Sequence, residues 1–299
     1  MSSSPLAAQG LGKRFRREWA LRGLTLEIPH GAIVGLAGPN AAGKSTLLAL
    51  ATGLLAPTEG TISVLGRDPL REPGVLADVG YVAQGAPLYR SFSVAETIEY
   101  VRRTNARWDD EIVADLLTQI DSSSKVGSLS EGDRARLALA LVLGKRPELV
   151  LLDEPFASLD PLAGRELLQL LMDGVAETSS TVVIASHVVA DIERVCDHIV
   201  LLTDGGVRLE GKVEELLDTH RLLTGPRRPL GSIRGVRKVV RERHSGRQLT
   251  LLTVTDGPIV DPSWTVERVS LEDLLLAYMA PERLPTPSTP EKVPLRWHG

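Results

Sequence analysis

The chain has 299 residues, of which 43% are hydrophobic and 24% are charged, and its formal net charge at pH 7 is −4. This composition is ordinary for a globular protein, and the charge balance argues against a nucleic-acid-binding protein. No apolar run is long enough to cross a bilayer, the first residues lack the features of a secretion signal, and the single cysteine, Cys196, excludes an internal disulfide. We therefore expect a cytoplasmic protein in which Cys196 is a small buried packing residue.

Short apolar runs alternate with helix-forming segments along the first two thirds of the chain. Ser93 and Glu96 form a capping box that begins a helical region reaching roughly Ile120. This alternation predicts a parallel sheet covered by helices. The predicted strands cover residues 7–11, 24–28, 32–37, 60–65, 79–83, 149–152, 181–185 and 199–202. The other predicted helices cover residues 46–51, 131–143, 165–172 and, near the C-terminus, 271–279, and one more lies before the strand at 199–202.

A glycine-rich loop lies between the third predicted strand and the first predicted helix. Its sequence, G-P-N-A-A-G-K-S, fits the G-x-x-x-x-G-K-[ST] pattern of a phosphate-binding loop. Glycines let consecutive backbone N–H groups turn toward phosphate oxygens, and the start of the next helix adds a positive dipole. The alternative is a glycine turn followed by a solvated lysine. The predicted nucleotide-binding residues of this segment are Gly38, Pro39, Asn40, Ala41, Ala42, Gly43, Lys44, Ser45 and Thr46.

Two acids, Asp153 and Glu154, follow the apolar strand at 149–152, at the end where parallel-sheet sites lie. Because side chains alternate along a strand, the two carboxylates point in different directions. Asp153 can then bind Mg²⁺ together with the Ser45 hydroxyl, while Glu154 faces the water that attacks the γ-phosphate and Lys44 offsets phosphate charge. The alternative is that these acids only cap the following turn.

In order and spacing, these motifs and several later segments resemble the nucleotide-binding subunit of an ATP-binding cassette (ABC) transporter. The resemblance covers roughly residues 6–215. It implies catalytic roles for Glu154, for Gln84, which contacts the metal and water and senses a membrane partner, and for His187, which touches the γ-phosphate. It also implies that Phe15 stacks on adenine, with Trp19 as a weaker candidate.

The resemblance further implies that part of each ATP site comes from a second subunit. Within the signature segment at 129–133, Ser130 and Gly132 correspond to the residues that hold the γ-phosphate of the opposite subunit. Asp160 corresponds to the aspartate of the D-loop. Since one chain carries one phosphate loop and one signature, the resemblance predicts a dimer, most simply a homodimer, that binds ATP and Mg²⁺.

Two segments depart from the family pattern. The usual L-S-G-G-Q signature has Glu131 and Asp133 at its third and fifth positions here. An acid beside a triphosphate is unfavourable, so we expect both side chains to point away or to pair with Arg134 or Arg136. In the phosphate loop, an alanine pair begins at Ala41, which is a mild change if the φ angle there is not positive. Neither departure removes a catalytic group, so hydrolysis is expected to persist.

The expected fold class is α/β: a P-loop NTPase core of the ABC ATPase type, with a mixed sheet and flanking helices, and a small C-terminal α+β appendix. The ATP-binding domain is predicted over 1–224, with a helical signature subdomain over about 85–145. The appendix is predicted over 225–281, and a Pro-rich disordered tail over 282–299. The arginine-rich stretch at 227–247 is either a solvated face or a contact for an anionic partner or lipid headgroup.

The resemblance implies an ATPase that drives a separately encoded membrane permease, in the style of ABC-2 type exporters. The protein would bind no nucleic acid and would attach peripherally, through the permease, to the inner face of the cell membrane. Pro87, Leu88, Tyr89 and Phe92 either line the docking groove for this permease or pack within the helical region. A soluble ATPase of the same family and a nucleotide-dependent interaction module without transport are the alternatives.

Overall fold

The computed structural model describes residues 4–227 and 233–280, which form three β-sheets and the helices packed against them. The predicted tail at 282–299 lies outside the described residues. The strands are β1 (Leu6–Phe15), β2 (Glu18–Ile28), β3 (Ile33–Ala37), β4 (Glu59–Val64), β5 (Val79–Val82), β6 (Leu149–Asp153), β7 (Thr181–Ser186), β8 (His198–Thr203), β9 (Gly206–Lys212), β10 (His220–Pro226), β11 (Val236–Ser245), β12 (Gln248–Thr255) and β13 (Thr265–Arg268). The helices are α1 (Lys44–Ala51), α2 (Val94–Thr104), α3 (Asp110–Leu116), α4 (Glu131–Leu143), α5 (Pro161–Thr178), α6 (Val189–Ile192), α7 (Val213–Thr219) and α8 (Leu271–Met279).

The central sheet has the strand order β5-β6-β7-β3-β8-β9. All neighbours are parallel except β9, which pairs antiparallel with β8. Strand β6 is buried at every position, as expected for a near-continuous apolar run covered on both faces. The predicted parallel sheet with flanking helices is confirmed. The carboxyl ends of β3, β6 and β7 lie side by side, which brings the segments that follow them together.

A smaller antiparallel sheet, β2-β1-β4, covers one face of the central sheet together with α1. Helices α4, α5 and α6 share a core with the other face. Strands β1 and β2 are longer than predicted because they form one hairpin whose pairing extends from Leu6 opposite Ile28 to Phe15 opposite Glu18. This hairpin carries Phe15 to the edge of the phosphate loop.

The predicted helical region after Ser93 begins with the expected capping box. The Ser93 side chain accepts a hydrogen bond from the backbone N–H of Glu96, and the Glu96 carboxylate accepts one from the backbone N–H of Ser93. The region is not continuous to Ile120, however. Helix α2 ends at Thr104, and a second helix, α3, begins after Asp109, whose carboxylate caps two backbone N–H groups. This second cap explains the break, because it stabilises a new helix start.

The C-terminal segment forms an antiparallel sheet, β11-β12-β10-β13, and the helix α8, which matches the helix predicted at its end. Strand β10 begins at His220, so it spans the predicted domain boundary at 224. Helix α8 packs against α6 in the core that also buries Cys196. Burial raises the pKa of the Cys196 thiol to about 12, in keeping with the predicted packing role. None of the helices in the described ranges is long and apolar enough to cross a membrane.

Candidate functional site

The phosphate loop connects β3 to α1. Two of its positions need glycine because the backbone of neighbouring strands lies too close to leave room for a side chain. Gly38 has φ 152°, and a Cβ atom there would lie 2.4 Å from the Leu202 carbonyl oxygen. Gly43 has φ 102°, and a Cβ atom there would lie 2.6 Å from the Ala20 carbonyl oxygen. Side chains at either position would collide with neighbouring backbone. The tight turn that a phosphate cradle needs is therefore fixed by packing against β2 and β8.

Ala41 differs from what the sequence analysis assumed. Its φ angle is 65°, which lies in the left-handed region that glycine adopts without cost. The substitution is therefore not mild, and the loop carries local backbone strain at this position. Ala42, the next residue, is not among the residues with positive φ, and it is buried.

The Lys44 side chain is buried beneath the loop. Its ammonium group donates hydrogen bonds to the carbonyl oxygens of Gly38, at 2.8 Å, and Pro39, at 3.2 Å. It also lies 3.6 Å from a carboxylate oxygen of Glu154. The positive charge is thus directed into the turn, where it can offset the charge of a bound phosphate.

Asp153 is the last residue of β6 and Glu154 follows it, and the two side chains contact different partners, as predicted. The Asp153 carboxylate accepts a hydrogen bond of 3.0 Å from the Ser45 hydroxyl. Burial raises the pKa of Asp153, and the neighbouring Glu154 charge adds to this effect. Glu154 is buried too, with φ 48°, and a carboxylate oxygen lies 2.9 Å from Nδ1 of His187.

The oxygen atoms of Ser45 and Asp153 fit a Mg²⁺ site. Mg²⁺ prefers hard oxygen ligands, keeps several waters, and is commonly held by one or two protein groups plus substrate phosphates. A hydroxyl and a desolvated carboxylate 3.0 Å apart match this requirement. Within residues 4–227 and 233–280, no group of three or more His, Cys, Asp or Glu side chains offers a metal cage. Any divalent ion here would therefore rely on phosphate and water for its remaining ligands.

One cleft of about 1040 Å³ brings most of the predicted site residues together. Phe15 is 46% exposed and lies at the margin of the cleft. Trp19 is not among the lining residues, and its ring is 5.3 Å from the guanidinium group of Arg14 and 5.9 Å from that of Arg22. The residues that line the cleft are Phe15, Ala20, Asn40, Ala41, Ala42, Gly43, Lys44, Ser45, Thr46, Gln84, Glu154 and His187.

Ser130, Gly132 and Asp160 are not among the residues that line this cleft. Ser130 caps the start of α4, and Asp160 caps the start of α5 through the backbone N–H groups of Leu162 and Ala163. A Cβ atom at Gly132 would lie 3.6 Å from the Ala163 side chain, so the two helix starts are neighbours. The predicted signature residues thus form a separate surface from the phosphate loop of the same chain.

Of the two alternatives expected for the signature acids, pairing with Arg134 or Arg136 does not occur for Asp133. Its carboxylate accepts a 2.7 Å hydrogen bond from the Ser130 hydroxyl rather than binding Arg134 or Arg136. Arg136 instead pairs with Glu166 at 3.3 Å. The reason is local: an acid three residues after a helix-capping serine lies within reach of its hydroxyl.

Asp191, in α6, belongs to the surroundings of the site and was not identified from the sequence. Burial raises its pKa, and the Glu154 charge raises it further, whereas His187 acts in the opposite direction. No helical spacing signals this residue in the sequence, because His187 lies before the first residue of α6.

Comparison with known proteins agrees with this geometry. Residues 21–157 match the family model described as ABC transporter. The chain is 32% identical over 227 residues to the lipopolysaccharide export system ATP-binding protein LptB of Acidithiobacillus ferridurans, which covers 72% of this chain and 93% of that protein. It is 36% identical over 197 residues to the thiamine import ATP-binding protein ThiQ of Jannaschia sp. (strain CCS1), which covers 64% of this chain and 86% of that protein.

Solved structures give the same result. An ATP-binding cassette solved as a dimer in a post-hydrolysis state with ADP and Pi has a TM-score of 0.63 and 25% identity, covering 70% of this chain and 98% of that one. The ATP-binding subunit of an ABC transporter has a TM-score of 0.64 and 25% identity, covering 72% of this chain and 92% of that one. With its phosphate loop, paired acids and adjacent histidine, the chain therefore belongs to the ABC transporter family as an ATP-binding subunit and is an ATPase of that family.

Proposed function

We propose that two copies of this chain enclose two ATP molecules and that hydrolysis drives a separately encoded membrane permease. The observation that carries this proposal is the separation of the site into two surfaces. Lys44, Glu154 and His187 share one cleft, whereas Ser130 lies at the start of α4, outside it. A γ-phosphate in the cleft can meet a signature turn only if a second copy supplies it.

In this proposal, the chain's own residues bind the triphosphate and activate water. The loop N–H groups and Lys44 hold the β- and γ-phosphates, and Ser45 and Asp153 hold Mg²⁺, which would offset charge on the phosphate oxygens. Glu154 orients the attacking water and accepts its proton as the new P–O bond forms and the bond to the β-phosphate oxygen breaks. His187, beside Glu154, stabilises charge on the transferred group.

Three further residues complete the proposed site. Gln84 lines the cleft two residues after the end of β5, where it can contact Mg²⁺ and the attacking water and sense the permease. Gly132 supports the signature turn by leaving room beside the phosphate, and Asp160 holds the start of α5 next to that turn. Phe15 offers its ring to adenine at the margin of the cleft.

The proposed permease contact lies next to Gln84. A groove of about 1160 Å³ is lined by Pro87 and Leu88, together with residues of β5, α2 and α4. Tyr89, which is 66% exposed, and Phe92 lie outside the groove lining, where their ring centroids are 5.4 Å apart. The groove is apolar and adjoins a residue of the nucleotide cleft, so a helix seated in it could transmit opening and closing of the pair.

The finer assignment is export of the ABC-2 type, with the protein held at the cytoplasmic face of the cell membrane by its permease and with no nucleic-acid partner. The relative named for lipopolysaccharide export supports this direction, whereas the relative named for thiamine import works in the opposite one, so in this proposal the permease sets the direction. We assign ATP binding to residues 1–224 and treat 225–281 as an appendix attached through α6 and α8.

Light scattering of the purified Glu154→Gln variant with ATP and Mg²⁺ tests the proposal. The apparent mass should rise from 32.3 kDa for one chain to twice that value when ATP is added. The same variant with ADP is the control and should remain a single chain. A mass that stays at one chain at saturating ATP, even with the permease present in detergent, would contradict the composite site.

A further inference from the structure

The hydroxyl group of Ser130 already forms two hydrogen bonds within its own chain. Its oxygen accepts a 3.1 Å hydrogen bond from the backbone N–H of Asp133, which is an ordinary helix cap. The same hydroxyl donates its proton to the Asp133 carboxylate at 2.7 Å. A serine hydroxyl has one proton to donate. While this bond persists, Ser130 has no proton left for a phosphate oxygen.

The charge of Asp133 acts in the same direction. The first turn of α4 carries two acids, Glu131 and Asp133, and neither forms a salt bridge among the described residues. Ser130 and Asp133 are both at least partly exposed, so this surface is accessible to a second copy. An approaching triphosphate would therefore meet an unneutralised carboxylate directly beside the hydroxyl that should bind it.

We propose that Asp133 is a positioning residue that withholds the Ser130 hydroxyl from the γ-phosphate of the opposite copy and so weakens ATP-dependent pairing. The inference rests on the proposed function and identifies the contact that regulates it. Pairing requires that the Ser130–Asp133 hydrogen bond breaks and that the carboxylate turns away. In the signature of this chain, the serine hydroxyl is thus hydrogen-bonded within its own turn. Dimerisation therefore needs a higher ATP concentration than it would need if the Ser130 hydroxyl were free.

The chain contains a matched control for this arrangement at the start of α8. Ser270 accepts a 3.1 Å hydrogen bond from the backbone N–H of Asp273 and donates a 2.7 Å hydrogen bond to its carboxylate. The geometry is the same as at Ser130 and Asp133, but α8 lies in the C-terminal segment and contributes nothing to the nucleotide cleft. Any effect that comes only from helix capping should be equal at the two sites.

The test measures the ATP concentration for half-maximal dimerisation by light scattering, in the Glu154→Gln background so that hydrolysis does not interfere. Asp133→Ala removes both the acceptor and the charge, and we expect the half-maximal concentration to fall by about tenfold, the effect of one charge-assisted hydrogen bond. Asp133→Asn removes the charge but keeps an acceptor, so its effect should be smaller. Asp273→Ala should leave the half-maximal concentration unchanged.

A second comparison separates hydroxyl capture from a general charge effect. In the Ser130→Ala background, Asp133→Ala should lower the ATP concentration for half-maximal dimerisation much less, because no hydroxyl remains to be released. The inference would be overturned if both proteins dimerise and the Asp133→Ala variant has the same half-maximal ATP concentration as the protein that keeps Asp133. That result would leave the composite site intact. If no variant dimerises at any ATP concentration, the composite site fails and the inference fails with it. The midpoint temperature of thermal unfolding should shift by similar amounts in Asp133→Ala and Asp273→Ala.

Discussion

The Glu154 carboxylate lies 2.9 Å from Nδ1 of His187, and these two residues come from the ends of neighbouring strands, β6 and β7. The other carboxylate oxygen is 3.6 Å from the Lys44 ammonium. Glu154 thus contacts both groups that would face a γ-phosphate. Binding of a phosphate to Lys44 must replace this contact, which frees the carboxylate to meet water.

Replacing Glu154 with Gln should lower the turnover number for ATP hydrolysis by at least about 100-fold, because the amide cannot accept a proton from water. ATP affinity should be unchanged or higher, since the carboxylate no longer competes with phosphate for Lys44. Steady-state phosphate release and fluorescent-nucleotide titration measure the two quantities. Turnover close to that of the unmodified chain would remove Glu154 from this role.

Replacing Lys44 with Ala should weaken ATP binding by about tenfold or more, because the variant loses a charge-assisted contact to phosphate as well as the hydrogen bonds that hold Gly38 and Pro39. Lys125→Ala is the control, since Lys125 pairs with Glu96 on an exposed surface. Isothermal titration with ATP and Mg²⁺ checks both variants. Equal affinities for the two variants would contradict the assignment of Lys44.

Replacing Ala41 with Gly should raise the free energy of unfolding by about 1 kcal/mol, because glycine adopts φ 65° without strain. The neighbouring Ala42→Gly is the matched control and should lower it, since Ala42 is buried and lacks a positive φ. Thermal and urea unfolding of the nucleotide-free proteins compares them. A destabilising effect of both glycines would mean that the strain at Ala41 is not relieved by the substitution.

Replacing Phe15 with Ala should weaken ATP binding by roughly 5- to 10-fold through loss of ring stacking on adenine. Trp19→Ala should leave ATP affinity nearly unchanged, because Trp19 does not line the cleft and its ring contacts the guanidinium groups of Arg14 and Arg22. Competition between ATP and inorganic triphosphate would localise the effect to the base. A larger loss of ATP affinity in Trp19→Ala than in Phe15→Ala would assign the stacking role to Trp19 instead.

His220 should make the stability of the protein depend on pH. Its imidazole is buried, with Nδ1 2.7 Å from the Leu216 carbonyl oxygen and Nε2 2.9 Å from the Tyr278 hydroxyl. Burial lowers the pKa of His220, and the Arg237 charge lowers it further, whereas the Leu216 bond opposes this. The unfolded chain then binds the proton more readily than the folded chain. The free energy of unfolding should therefore fall as the pH drops below about 6.5, by at most about 1.4 kcal/mol per pH unit.

Urea unfolding of the His220→Asn variant at several pH values measures this contribution as a difference from the unmodified chain. Asp153 and Asp191, whose pKa values are raised, act in the opposite direction, but their contributions cancel in that difference. His244→Asn is the control, since His244 is exposed and pairs with Glu242. A pH dependence that is the same with and without His220 would contradict the prediction.

Much of the site could be predicted from the sequence because its parts are contiguous. A glycine loop between a strand and a helix, or two acids after an apolar run, is defined by neighbours in the chain, and local backbone geometry then follows. The same holds for the capping box at Ser93 and for α4 and α8, whose bounds matched the predicted helices. Where the local signal was incomplete, as between α2 and α3, one helix was predicted instead of two.

By itself, the sequence indicated the order of β1 to β8 along the chain, the phosphate loop, the paired acids and the family, whereas β9 was not predicted. Only the tertiary structure decided which partners the polar side chains take. It placed His187 against Glu154 and α8 against α6, and it gave Ala41 a left-handed backbone. The physical reason is that a hydrogen bond tolerates a change of only a few tenths of an ångström, roughly, in the distance between donor and acceptor, and packing of whole elements sets that distance.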